Sequence, residues 1–220
     1  MKTQRLYPPL ATVTEFFEGG ICVVSYPVVT VNHAAIAAEN GYAAMLGQAH
    51  DEGRADALDA GITADRFPVA GDGLVLIQPA LLSFCESKVS SEAVRRFAES
   101  LETDGAPWSV GGLAELCALT GAHPWLQHRD PILALGSAAD GDGYVKVAPR
   151  ACSCPGPNSG RLLDLYASNE QGLWPAYCTQ FLIVRQAPKA DCRPVFAPRS
   201  WRHRPRHARC GVAVLEAKAA

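Results

Sequence analysis

The spacing of turn-forming segments after residue 130 limits most tightly what this chain can fold into. Short runs rich in β-branched and apolar residues, 131–135, 144–148, 161–166 and 180–185, alternate with segments rich in Gly, Pro, Asp, Asn and Ser at 140–143, 155–160 and 168–172. Apolar runs of that length, bounded by turn residues, read as strands, and strands joined through such turns read as an antiparallel meander. The pattern predicts at least three antiparallel strands in one sheet from residues 132–185. Leu133, Leu135, Leu163, Leu165, Leu182 and Val184 are then expected to point inward.

The first half of the chain reads differently. Residues 21–31 form a β-branched run that suits a strand, split by Pro27, which has no N–H for a ladder. Asn32 is placed to cap an Ala-rich run over 33–60, which Asn40-Gly41 and Gly53 divide, so that it holds one long helix or two shorter ones. Residues 75–84, around Pro79, suit either a strand or a buried helix. Two further helices are expected. One spans 92–102, capped by Ser90 or Ser91, with Val94, Phe97, Ala98 and Leu101 on one face. The other spans 113–119, capped by Ser109, with Leu113, Leu116, Cys117 and Thr120 on a stripe and Gly121 as the stop. The fold class expected is α+β, with N-terminal helices packed on a largely antiparallel sheet supplied mainly by the C-terminal half.

Charge divides the chain into two parts. Residues 1–187 carry 12 Lys and Arg against 20 Asp and Glu, a net of −8, whereas residues 188–220 carry 8 against 2, a net of +6. An acidic globular domain over 1–187 followed by a basic, Pro- and Arg-rich extension over 188–220 is the expected organisation. The alternating segment from Gly211 to Ala217 suits a terminal strand that docks the extension on the domain. At 48% apolar and 19% charged residues, the chain has the means to build a core without metal or disulfide support. No apolar run approaches the roughly 20 residues that span a bilayer, and no apolar stretch follows the basic residues near the N-terminus. These features point to a cytoplasmic protein with reduced thiols and no membrane partner. Cys22, Cys85 and Cys117 sit in apolar runs and are expected to be buried, with Cys152 and Cys154 in a reactive loop.

Motifs for catalysis are sparse. The chain contains no G-x-S-x-G, P-loop or G-x-G-x-x-G. Asp140-Gly141-Asp142-Gly143 begins like a calcium loop, but Val145 and Ala151 stand where further ligands belong, so it reads as a hairpin turn. His50 beside Asp51 and Glu52 suits a polar helix surface. His123 and His128 flank Trp125 near the expected helix–sheet junction, and either of them with Cys152 or Cys154 would make a Cys–His dyad. Cys192, His203, His207 and Cys210 are zinc-competent donors in the basic extension, though their spacing lacks paired C-x2-C and Pro205 interrupts it. Arg199, Arg202, Arg204, Arg206 and Arg209 around Trp201 combine phosphate-binding charge with a stacking ring. Trp174 and Tyr177, ahead of a strand, are the residue types that anchor protein interfaces; the plainer reading is that the tryptophan covers the sheet end.

The function these features suggest is non-catalytic binding by an interaction or accessory protein with a protein partner. A small metal-assisted or cysteine-dependent enzyme is the alternative, and a nucleic-acid-associated protein acting through the basic extension is the second. No cofactor is expected, with zinc the one candidate.

Overall fold

The computed structural model describes residues 13–33, 57–63, 66–67, 73–101, 106–123, 126, 130–140, 146–153, 161–169 and 171–187. The chain divides into two compact units, Met1–Lys189 and Ala190–Ala220, and every described residue lies in the first. The basic extension and its expected terminal strand lie outside the described residues, as do residues 34–56 of the Ala-rich run.

The spine of the fold is β5 (Leu74–Phe84), an eleven-residue strand that settles the ambiguity of the 75–84 run. On one side it pairs antiparallel with β2 (Ile21–Ser25) and β3 (Val29–Asn32) in succession. These are the two halves of the strand expected to split at Pro27. Ser25 stands opposite Ala80 and Val29 opposite Ile77, so Tyr26–Val28 inserts one extra residue against Gln78 and Pro79. That bulge also explains how a proline sits in a central strand. Tyr26 N–H donates to the Pro79 carbonyl at 2.9 Å. The N–H and C=O of a strand residue point to the same side, so the donor that Pro79 lacks would have faced the bulge.

The extra residue reverses the alternation of faces. Val23 packs on one face of the sheet with Ala80, Leu82, Phe84, Phe181 and Ile183. Val29 and Val31, of the same parity, pack on the other with Ile77, Leu81, Leu182 and Val184. β1 (Val13–Phe17) completes this edge as a hairpin with β2, turned through Gly19 and Gly20 at φ 77° and 72°. A Cβ on Gly20 would lie 2.7 Å from Cys85 Sγ.

On its other side β5 pairs antiparallel with β13 (Gln180–Gln186). β13 in turn pairs with β7 (Ser109–Val110) and, in parallel, with β8 (Ile132–Leu133). Beyond β8 lie β10 (Lys146–Ser153) and β11 (Arg161–Ala167), both antiparallel. β9 (Ala139–Asp140) pairs with β10 across the 141–145 segment, and β4 (Ala57–Leu58) runs parallel to β11. A separate two-stranded ladder joins β6 (Lys88–Ser90) to β12 (Leu173–Pro175).

Two helices are present among the described residues. α1 (Ser91–Ser100) starts where the sequence predicts, with Ser90 Oγ accepting from Ala93 N–H at 3.1 Å, and it buries Val94 and Ala98 on the Val23 face. α2 (Leu113–Ala122) covers the opposite face and is buried nearly all round, including Ala114, Ala118 and Leu119 beyond the expected stripe. Its cap is not Ser109, which lies in β7. Instead Ser137 Oγ accepts from Leu113 N–H at 2.8 Å, and Glu115 Oε2 accepts from Gly112 N–H at 2.9 Å. The helix passes through Gly121, and His123 ends it.

The expected fold class is therefore overturned. The described helices lie mid-chain and cover opposite faces, and β1, β2, β3 and β5 bring the N-terminal half into the same mixed sheet. The Ala-rich run also ends in strand rather than helix at Ala57–Leu58. Strand formation follows from apolar side chains demanded on both faces at once, a requirement that an alternating-pattern reading does not register. The meander holds from β8 through β10 to β11 and fails at β13, which returns to lie between β5 and β8. Of the six inward positions expected, Leu133, Leu135, Leu163, Leu182 and Val184 are buried and Leu165 is partly buried.

Gly111 marks the tightest crossing near this sheet. A Cβ there would sit 2.6 Å from Leu182 Cγ. Gly111→Ala is expected to cost about 2 kcal/mol through overpacking, read as a lower urea midpoint with an unchanged m-value.

Candidate functional site

Among the described residues the Val23 face of the sheet is only partly covered, and a groove of about 730 Å³ opens where that cover ends. Its floor is formed by Val23 and Ser25 of β2, Gln78 of β5 and Arg185 of β13; its walls are Val13, Glu15, Phe16 and Phe17 of β1, the last turn of α1 with Phe97, Ser100 and Leu101, and Trp108. Local sequence explains each wall. Phe17 meets Phe97 edge-to-face at 5.4 Å and 87°, and Phe97 meets Phe84 at 6.2 Å and 71°, which ties the β1 hairpin to α1. Trp108 immediately precedes β7, in register with Arg185, because Ser109 pairs with Val184.

The charged group on the floor is the most specific feature. Arg185 faces Gln78 across the β5–β13 ladder, and both Nε and one terminal nitrogen donate to Gln78 Oε1, at 2.9 and 2.6 Å. The guanidinium lies 5.1 Å from the Trp108 ring centroid, which fixes its plane. Arginine carries five N–H donors. Gln78 is a neutral acceptor, and among the described residues no carboxylate pairs with Arg185. Glu15 stands at the β1 end of the same groove. Val13, 60% exposed and on the same face of β1 as Glu15, leaves apolar surface at its rim, whereas Phe16, 76% exposed, alternates to the opposite face.

A second charged pair is closed by comparison. Arg150 and Asp164 face each other across β10 and β11 in a two-pronged ion pair, and the Arg150 guanidinium lies 4.1 Å over the Tyr166 ring. Hydrogen bonding to Asp164 raises the Arg150 pKa against the opposing effect of burial.

The residues singled out from sequence are dispersed. His123 ends α2 on the face of Val29, with its ring 6.3 Å from that of Tyr26. Its Nε2 is buried with no hydrogen-bond partner among the described residues, and burial pulls its pKa below the ordinary histidine value. Cys152 is buried in β10, one residue on from Ala151, and alternation turns it to the opposite face. The structure therefore does not bring His123 and Cys152 together. His128 and Cys154 lie outside the described residues, as do Cys192, His203, His207 and Cys210 and the residues Arg199, Trp201, Arg202, Arg204, Arg206 and Arg209. Among the described residues there is no group of three or more His, Cys, Asp or Glu placed to hold a metal ion. Trp174 is fully buried, paired with Val89 across β6–β12, and its Nε1–H donates to Ser91 Oγ at 2.7 Å. Tyr177 is 75% exposed, and a hydrogen bond with Cys178 raises its pKa. Gln78, Arg185, Trp108 and Glu15 were not singled out by sequence, because no local motif links residues so far apart.

Two expectations for the thiols are corrected. Cys85 is exposed because β5 ends at Phe84, and Cys152 is buried because β10 extends to Ser153. Burial pushes the Cys117 thiol up to about 12. Native-state labelling with a maleimide is expected to be fast at Cys85 and Cys178, slower at half-buried Cys22, and slowest at Cys117 and Cys152. The histidine gives a pH prediction. A folded-state pKa below that of the unfolded chain means the unfolded chain binds more protons. Stability is then lost as pH falls from about 6.5 through the folded-state value, and His123→Leu is expected to flatten that loss in urea midpoints measured at several pH values.

No helix among the described residues is long and apolar enough to cross a membrane. No protein-family model, no curated protein and no solved structure matches this chain.

Proposed function

We propose that this protein is a non-catalytic binding module whose groove between β1 and Arg185 receives an extended, largely apolar segment of a protein partner. The observation that supports this reading is the Arg185 guanidinium. It is oriented by Gln78 and Trp108 on the floor of a groove walled in part by aromatic and aliphatic side chains, with N–H donors beyond those that Gln78 accepts. A few oriented polar groups among rings is the pattern of a recognition site. The compartment that suits the reading is the cytoplasm, where Cys85 and Cys178, both exposed, would remain thiols.

Random heptapeptides displayed on phage and selected on the full chain test it. Apolar peptides are expected to be enriched, and Val13→Ser, on the same face of β1 as Glu15, is expected to weaken their binding at least about fivefold. Val13 is exposed, so its replacement should shift stability by less than about 0.5 kcal/mol. Tyr177→Ser, on an exposed turn outside the groove, is the control. If Tyr177→Ser abolishes binding and Val13→Ser does not, the groove is not the interface.

A further inference from the structure

We infer that the occupant of the groove is an extended segment with charge of opposite sign at its two ends: a carboxylate seated on Arg185 and a cation opposite Glu15, with apolar side chains between. This rests on the groove being the binding site and deepens it to a substrate pattern. Glu15 pairs with Val23, Val23 with Leu82, and Leu82 with Phe181, so Glu15 and Phe181 share one level of the sheet. Arg185 stands four residues further along the same strand and on the same face. Three strand spacings across and four residues along place the two Cα atoms about 20 Å apart, the length of about six extended residues.

The two ends demand different chemistry. At one end Arg185 presents a fork of donors against a neutral glutamine, and a carboxylate is the acceptor that fits such a fork. At the other end Glu15 would lose hydration under any apolar cover. A carboxylate-headed hydrocarbon long enough to fill the groove would put its apolar end there, whereas a lysine or arginine side chain would complement it. A second copy of this chain added along β1 is disfavoured by the same residue. Antiparallel pairing centred on Glu15 would set two carboxylates directly opposite.

The test uses fluorescein-labelled hexapeptides with aspartate at one end, four alternating valines and threonines, and lysine at the other, made in both directions. Their affinity for the full chain is measured by anisotropy at low and high salt. Replacing aspartate by asparagine is expected to weaken binding about tenfold on the native protein and not at all on Arg185→Gln. Replacing lysine by glutamine is expected to weaken it several-fold on the native protein and not on Glu15→Gln. Arg185→Lys, which keeps the charge and loses the fork, controls for disturbance of Trp108 and should retain part of the aspartate preference. If peptide affinity depends on Val13 but not on either peptide charge, the groove reading stands and this inference fails. If affinity is insensitive to Val13→Ser as well, both fail.

Discussion

The single residue inserted between β2 and β3 organises both faces of this protein. Without Tyr26–Val28 standing against only Gln78 and Pro79, one continuous strand would run along β5 with one alternation. Val23, Val29 and Val31 would then crowd one face. The slip sends Val23 to the face of α1 and the later valines to the face of α2, so each helix finds an apolar surface. It also tolerates Pro79 in the middle of the longest strand, at the position where no N–H is needed from the proline itself. The same interruption ends β2 at Ser25, level with Ala80, and leaves the neighbouring level of Gln78 and Arg185 without a regular strand beside it. The floor of the groove opens there.

The energetics of Arg185 follow from its surroundings. A half-buried guanidinium against the Trp108 ring loses part of its hydration, and a neutral amide returns only part of what a carboxylate would. Arg150 shows the other solution on the same face of the sheet: a directly opposed Asp164 with Tyr166 beneath. Each arginine lies against an aromatic ring and is half-buried, yet only Arg150 has its counter-charge within the described chain. The difference between a closed structural pair and an open one is what the proposed recognition role of Arg185 rests on.

How much of this was legible in the sequence depends on how local each determinant is. α1 was readable almost to the residue, because its cap and its periodic stripe lie within a dozen positions. The split at Pro27 was readable for the same reason, though not the change of face that comes with it. The cap of α2 was misread because its acceptor is Ser137, 24 residues away and brought close by the 3-10 turn that follows β8. The course of β13 was misread because strand order is not encoded in turn spacing; its best partner, β5, lies about a hundred residues earlier. Trp174 illustrates a choice that sequence leaves open. A tryptophan before a strand serves equally as anchor or cover, and its hydrogen bond to Ser91 decides for cover.

The candidate site was illegible for a stronger reason. Gln78, Trp108 and Arg185 each look unremarkable alone, and what makes them a unit is register: Arg185 opposite Gln78 on one side and level with Trp108 on the other. Moving β13 by one residue would turn Arg185 to the face of α2, into the core that holds Leu182 and Val184. Burying an unpaired guanidinium there would cost several kcal/mol, so the core itself enforces the register that presents the arginine to the groove. Glu15 is constrained from the opposite direction. It sits on an edge strand whose side chains are exposed throughout, where an inward-facing charge discourages unplanned pairing with another strand. In the proposed complex, a partner that lays its own cation across Glu15 would remove that obstacle, so the residue that protects the edge would also select what is admitted beside it.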